Sequence, residues 1–287
     1  MKTPVIRELI KSGLEQHGDA VWLRHPPESI AAQLRAVDLV ASDVDECLLP
    51  FISQAEAGLY VLRRVMGNVS TTAQARFAAS MSLRAGAILS RKLYQKVSGV
   101  GRNSQLILDF ENFAQGAPLS YFDTSARRLV RKGVPGGADT LRLFSARGVP
   151  TGLISLGLDI IVAHYREFLE QSCGVELAFA DCTRVVSRDG LFAGFDPEMT
   201  LHKPEHKAER LRLRIEQFRA ARPLAMGHDR DDMEMFRVAR GHGGLTLGFN
   251  PVPDTYPLLD VAVFSPDWHA VTAFLSAALE GGDSRAS

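Results

Sequence analysis

Apolar and polar positions follow two rhythms along this chain. Short apolar runs at 39–42, 149–155, 177–180, 224–226, 245–249 and 261–264 have the length of strands buried in a parallel sheet. Between them the apolar positions recur at helical spacing. A helix over 138–147 carries Leu141 and Phe144 on one face and is closed by Gly148, as a C-terminal glycine closes a helix. A second helix over 159–172 stops at Gly174, and a basic amphipathic helix spans 204–220. Ser265-Pro266 is the expected cap of the last helix. Asp189-Gly190 marks a hairpin turn between short strands at 184–187 and 191–193. Strands alternating with helices predict an α/β fold built on a doubly wound parallel sheet.

Two stretches break the alternation. Residues 1–36 read as a helical extension, with Val5, Ile6, Leu9, Ile10 and Leu14 in register, a break at His25-Pro26-Pro27, and a short helix over 28–35. Residues 51–132 are almost wholly helical, with helices at 58–66 and 72–96, an ambiguous segment at 103–113 and a short basic helix at 124–131. Thr71 and Thr72 are equal candidates for the cap of the long helix. This insert is too long for a loop. It is expected to be a helical cap domain over a core made of 37–50 and 133–287. Gly99-Val100-Gly101-Arg102 has the composition of a phosphate loop but follows no strand, so a turn between cap helices is expected there.

Composition narrows the function classes. The chain has 287 residues, formal net charge +0 and three cysteines. A neutral total argues against a broad nucleic-acid or membrane footprint. Three scattered cysteines are too few for a disulfide framework, so a reducing cytoplasm is the expected setting. The N-terminus is charged at once, unlike a signal peptide. No run approaches the roughly 18 apolar residues of a membrane span. A homodimer through the N-terminal segment is left open.

The chemistry concentrates where strands end. The run over 39–42 stops at Asp43-Val44-Asp45. Ligands of open parallel sheets bind beyond the carboxyl ends of strands, and two adjacent carboxylates call for a cation or a shared proton. Ser155, with the N–H groups of Leu156 and Gly157, offers a phosphate cradle if a helix starts there. Lys207 lies near the start of its helix, with Lys203 as a rival. Asp229, Asp231 and Asp232 follow the strand at 224–226. Taken singly, each piece is also consistent with a surface lysine, a helix cap or a solvated turn.

In this order and context the pieces resemble the four motifs of the haloacid dehalogenase-like (HAD) hydrolases, over about residues 37–265. The pattern is most similar to the phosphoserine phosphatase branch: Ile154-Ser155-Leu156-Gly157, Ala180-Asp181 before the hairpin, Lys207-Ala208-Glu209, and Gly227-x4-Asp232-x2-Met235-Phe236. Phe77-x6-Arg84 resembles the branch's stretch carrying a substrate-binding arginine. The resemblance implies a HAD-like Rossmannoid core with a helical cap, acting on a small phosphorylated metabolite. Asp43 would be the nucleophile and Asp45 the general acid and base. Ser155 and Lys207 would hold the phosphoryl group, with Arg84, Leu156 and Gly157 binding substrate. The metal, Mg2+ by resemblance, would be held by Asp43, Asp45, Asp232 and one of His228 or Asp229.

Three departures qualify the resemblance. His228 stands where the family has an aspartate ligand, which favours Mn2+ or another divalent ion over Mg2+. Ile52 stands where the phosphoserine enzymes carry a glutamate for the substrate ammonium. Glu46-Cys47 replaces a small residue and a threonine. The leading expectation is therefore a metal-dependent phosphatase working through an aspartyl-phosphate. The alternative is a catalytically silent HAD domain that binds a phosphorylated ligand or a partner protein. A dehalogenase is disfavoured, since that chemistry needs neither Asp45 nor the acidic cluster.

Overall fold

The computed structural model describes residues 3–98 and 104–280. The chain opens with α1 (Thr3–Lys11), β1 (Glu15–His17), β2 (Val21–Leu23), α2 (Pro27–Arg35) and β3 (Leu39–Ser42). Four helices follow: α3 (Ser53–Gly67), α4 (Thr72–Ser98), α5 (Ser104–Ala114) and α6 (Leu119–Leu129). Then come α7 (Gly137–Ser145), β4 (Thr151–Leu158), α8 (Asp159–Cys173), β5 (Phe179–Thr183), β6 (Val185–Arg188) and β7 (Leu191–Phe195). The chain continues with α9 (Pro204–Phe218), β8 (Pro223–Gly227), α10 (Met233–Gly241), β9 (Leu245–Phe249), β10 (Val261–Val263) and α11 (His269–Glu280).

The main sheet has the order β1-β2-β10-β9-β8-β3-β4-β5. From β10 to β5 all neighbours run parallel. Every residue of β3, β4, β8, β9 and β10 is buried, which is why these strands read as unbroken apolar runs. Strand β3 lies between β8 and β4, so its carboxyl end opens at the middle of the sheet. The expected α/β parallel architecture is the one observed.

The N-terminal segment differs from the expected helical extension. Ser12-Gly13 turns the chain out of α1 into the β1–β2 hairpin, and β2 pairs antiparallel with β10. Val21-Trp22-Leu23 is buried along its whole length, and Gly13 and Gly18 take the positive φ the turns need. The segment thus extends the core sheet. Three-residue strands carry too little periodicity to be recognised from sequence.

Several boundaries also move. Helix α3 starts five residues before the expected position, and the ambiguous stretch before Phe113 is helix α5. Thr71 caps α4: its Oγ1 accepts from the Gln74 N–H at 3.2 Å while Gln74 Oε1 accepts from the Thr71 N–H at 3.1 Å, a reciprocal capping box. Ser265-Pro266 is not the cap of α11, which begins at His269 with Asp267 accepting its N–H. The Gly99-Val100-Gly101-Arg102 run lies outside the described residues.

Helices α5 and α6 pack on the β6–β7 hairpin, whose turn uses positive φ at Asp189 and Gly190. Phe192 of the hairpin meets Phe110 and Phe122 with ring centroids 6.3 and 5.9 Å apart. The Phe192 N–H donates to Ala117 and its carbonyl accepts from Gly116. An aromatic core therefore ties these helices to the hairpin.

Candidate active site

Asp43 follows the last residue of β3, and its N–H still pairs with the Met226 carbonyl of β8 at 2.9 Å. That bond fixes the carboxylate at the mouth of the sheet. Asp43 Oδ1 accepts from Lys207 Nζ at 2.7 Å, and the same ammonium donates to Asp232 Oδ1 at 2.6 Å. Lys207 is only 2% exposed and Asp232 is fully buried. Lys203, at the N-terminal edge of α9, is exposed, so Lys207 is the lysine at the site. Helix α9 is held to β5 by Arg214, whose guanidinium forks onto both oxygens of Asp181 at 2.8 and 2.6 Å. This clamp positions Lys207.

The second oxygen of Asp232 accepts from the backbone N–H groups of His228 (2.7 Å) and Asp229 (3.2 Å). The Asp229 side chain accepts in turn from the Asp231 N–H at 2.8 Å. The acidic cluster is thus a folded turn around a buried carboxylate. Gly227 must be glycine there, because a Cβ would stand 2.4 Å from Asp232 Oδ2.

Asp45 sits in the loop leading to α3, where the Ser53 side chain and backbone at the start of that helix favour its ionised form. Burial and the Asp43 charge outweigh Ser53 and push its pKa up to about 7. Its Oδ1 has no hydrogen-bond partner. Burial also opposes ionisation of Asp43, but Lys207 and His228 together hold its pKa below the ordinary carboxylate value. Burial and the Asp43 charge raise Asp232 to about 6. Burial, with Asp229 beside it, raises Asp231 to about 7. Asp43 and Asp45, two residues apart, are therefore driven in opposite directions: Asp43 is kept ionised, and Asp45 keeps its proton up to about pH 7.

His228 is the unusual member. Its Nδ1 lies 3.4 Å from Asp43 Oδ2 and its Nε2 lies 3.7 Å from Glu46 Oε2. Burial alone would lower its pKa. The carboxylates of Asp43 and Glu46, with the charges of Asp229 and Asp232, outweigh burial and raise it to about 11. Glu46 reaches this ring from a left-handed backbone conformation (φ 55°), which is costly for a residue with a side chain. One oxygen each of Asp43 and Asp232 and one nitrogen of His228 lie within 4.8 Å of one another. The His228 Nδ1 is buried without a hydrogen bond. These donors fit a divalent ion once the ring is neutral. A nitrogen donor suits Mn2+ or Co2+ better than Mg2+.

A cleft of about 40 Å³ opens above these groups, space for about three waters. Of the residues singled out in the sequence, Asp43, Asp45, Ser155, Leu156, Lys207, His228 and Asp229 line it; Gly157, Asp232 and Arg84 do not. Asp232 lies beneath it. Gly157 donates its N–H to Ser155 Oγ at 2.9 Å. The expected helix start at Ser155 is not found: β4 runs on to Leu158 with a register shift between Ile154 and Leu158, and α8 begins at Asp159. The Leu156 carbonyl holds this shifted end by accepting from Gln54 and Thr183. Arg84 is not brought to the cleft. Its guanidinium donates to the Asn112 carbonyl, linking α4 to α5. Glu46, Gln54 and Asp231 line the cleft without having been assigned roles from the sequence. For Asp231 the acidic cluster was a signal; for Gln54 there was none.

No protein-family model and no curated protein sequence matches the chain. Solved structures do. A substrate-bound phosphoserine phosphatase complex is 16% identical with TM-score 0.60, covering 83% of this chain and 98% of its own. A phospho-aspartyl intermediate analogue of phosphoserine phosphatase is 17% identical with TM-score 0.59 and the same coverages. Cytosolic 5'-nucleotidase IIIB bound to cytidine is 14% identical with TM-score 0.63, covering 91% of this chain and 93% of its own. At these identities the likeness is one of fold, and this chain has the HAD-like fold of the phosphoserine phosphatases.

Proposed function

We propose that the chain is a phosphomonoesterase that transfers the phosphoryl group of a small phosphate ester to Asp43 and then to water. The observation that carries this reading is the divergent pair at the carboxyl end of β3. Asp43 is held ionised by Lys207, while Asp45 holds a proton to about pH 7. That is the division of labour between a nucleophile and a general acid.

With Oδ1 bound to Lys207, Asp43 Oδ2 attacks phosphorus. A new O–P bond forms, the bond to the alcohol breaks, and Asp45 gives its proton to the leaving oxygen. Asp45, now a carboxylate, takes a proton from the water that cleaves the aspartyl-phosphate. Lys207 holds charge on Asp43 and the transferred oxygens, and Ser155 Oγ, which accepts from Gly157, has its own proton to donate. Asp43, Asp232 and His228, with the Asp45 carbonyl by resemblance, would hold a divalent ion. When bound, that ion supplies positive charge for the phosphoryl oxygens. Helices within 51–132 act as the cap. Free Cys47, Cys173 and Cys182 support a reducing compartment such as the cytoplasm, and no described helix is long and apolar enough to cross a membrane.

A second reading is favoured by His228 alone. As an imidazolium among carboxylates it already supplies a cation, as a silent phosphate-binding domain would. Phosphate release from a panel of small esters with Mg2+, Mn2+, Co2+ or no metal separates the two. Turnover that Asp43→Asn abolishes without unfolding the chain supports the phosphatase. Binding of phosphate esters with no turnover under any metal supports the silent domain.

A further inference from the structure

A second cavity, of about 400 Å³, adjoins the cleft. It lies among α3, α4 and α5, and Ile52 and Gln54 line both spaces. Its walls are Leu59 and Leu62 of α3, Ile88 of α4, and Phe110 and Phe113 of α5. Among the described residues that line it, none is charged. Its volume is in the range that holds a drug-sized molecule.

We infer that this cavity takes the alcohol part of the substrate, so that the substrate class is the phosphate monoester of an uncharged, apolar alcohol. The inference rests on the phosphatase reading of the adjoining cleft. A phosphoryl group seated between Asp43 and Ser155 has its ester oxygen leading past Ile52 and Gln54 into the apolar space. An amino-acid alcohol would bring an ammonium and a carboxylate. Ile52 offers the first no partner, and Arg84 is bonded to the Asn112 carbonyl and lines neither space. Burying such charges unpaired is costly, whereas each buried methylene is favourable. Gly86 also lines the cavity, and a Cβ built on it meets no atom within 4 Å. Gly86 is exposed, so the helix presents open space at this edge of the cavity where a larger side chain would stand.

The test is a series of straight-chain alkyl phosphates from methyl to octyl, assayed for phosphate release below their micellar concentrations, with phosphoserine alongside. The kcat/KM should rise about fourfold per added methylene and exceed that for phosphoserine from butyl onward. In Gly86→Leu, whose side chain narrows the space, the octyl-to-methyl ratio should fall at least tenfold. In Leu83→Gln, on the same helix but 78% exposed and outside the cavity, the ratio should not change. A flat series, or a preference for phosphoserine, overturns the inference while the phosphatase reading stands. Calorimetry with alkylphosphonates, which cannot be hydrolysed, gives a readout without turnover. If no ester is cleaved but phosphonate affinity climbs with chain length and Gly86→Leu abolishes the climb, the phosphatase reading fails and the apolar site stands. Affinity independent of chain length overturns the apolar site.

Discussion

Replacing Lys207 by methionine removes the one ammonium that joins Asp43 and Asp232 while keeping the length of the buried stem. Both carboxylates are almost fully excluded from water, and each loses a bond of 2.7 or 2.6 Å. Breaking a buried pair by deleting one partner costs about 3–5 kcal/mol, because a buried charge is left uncompensated. With a urea slope of about 3 kcal/mol/M, the midpoint should drop by roughly 1–1.7 M. The loss should depend on pH in a particular direction. In the wild type, Lys207 has a raised pKa, so its contribution is complete below the unfolded value and lost only in strong alkali. Asp43 has a lowered pKa, so its contribution is complete above the unfolded value and lost in acid. The Lys207–Asp43 pair is thus intact across the neutral range, while Asp232, raised to about 6, carries its charge only above that pH. In the variant both carboxylates lose the Lys207 charge that lowers them, so each should shed its repulsion by taking up a proton at a higher pH than in the wild type. The destabilisation should therefore be largest near pH 8 and smaller by at least about 1 kcal/mol near pH 5, each pKa unit being worth ~1.4 kcal/mol. Urea unfolding of both proteins in EDTA at the two pH values measures this. A difference below about 1 kcal/mol at pH 8, or one that grows in acid, would show that Lys207 does not hold the two carboxylates in this way.

Other expectations follow from the same geometry. Because Asp45 is raised to about 7, kcat/KM should fall about tenfold per pH unit above pH 7, and Asp45→Asn should remove that limb along with most of the activity. Asp45 also destabilises the fold as pH rises from about 4 to 7, since the unfolded chain gives up the proton first; Asp45→Asn should therefore be more stable than wild type at pH 8, by thermal unfolding. His228 must lose its proton to bind a metal, so Mn2+ binding should release protons in calorimetry, and His228→Asp should shift the activity preference from Mn2+ toward Mg2+. Gly227→Ala, with a Cβ 2.4 Å from Asp232 Oδ2, should cost about 2–3 kcal/mol, read by urea unfolding.

The legible parts of this protein are those whose signal is local. Buried strands read as apolar runs, and Asp43, Asp45, Lys207 and the acidic turn stand at strand ends or a helix start, so order alone aligned them. What was missed depends on contacts between distant segments. The β1–β2 hairpin is too short for periodicity and exists because β10 offers it an edge. Arg84 lies in a stretch of the expected pattern, but the α4–α5 packing gives its guanidinium the Asn112 carbonyl. Ser155 resembled a helix start, yet Gln54 and Thr183 hold the Leu156 carbonyl and β4 continues. His228 was recognised as a departure; that Glu46 and Asp43 make it a cation follows only from the fold.

The central claim is that Asp43 accepts the phosphoryl group. It is tested most directly by quenching the protein in acid during turnover of a labelled phosphate ester and mapping the label by peptide mass spectrometry. A hydroxylamine-labile phosphoryl group is expected on the peptide containing Asp43, absent in Asp43→Asn. Turnover with no phosphorylated chain, or a label that persists in Asp43→Asn, would contradict it.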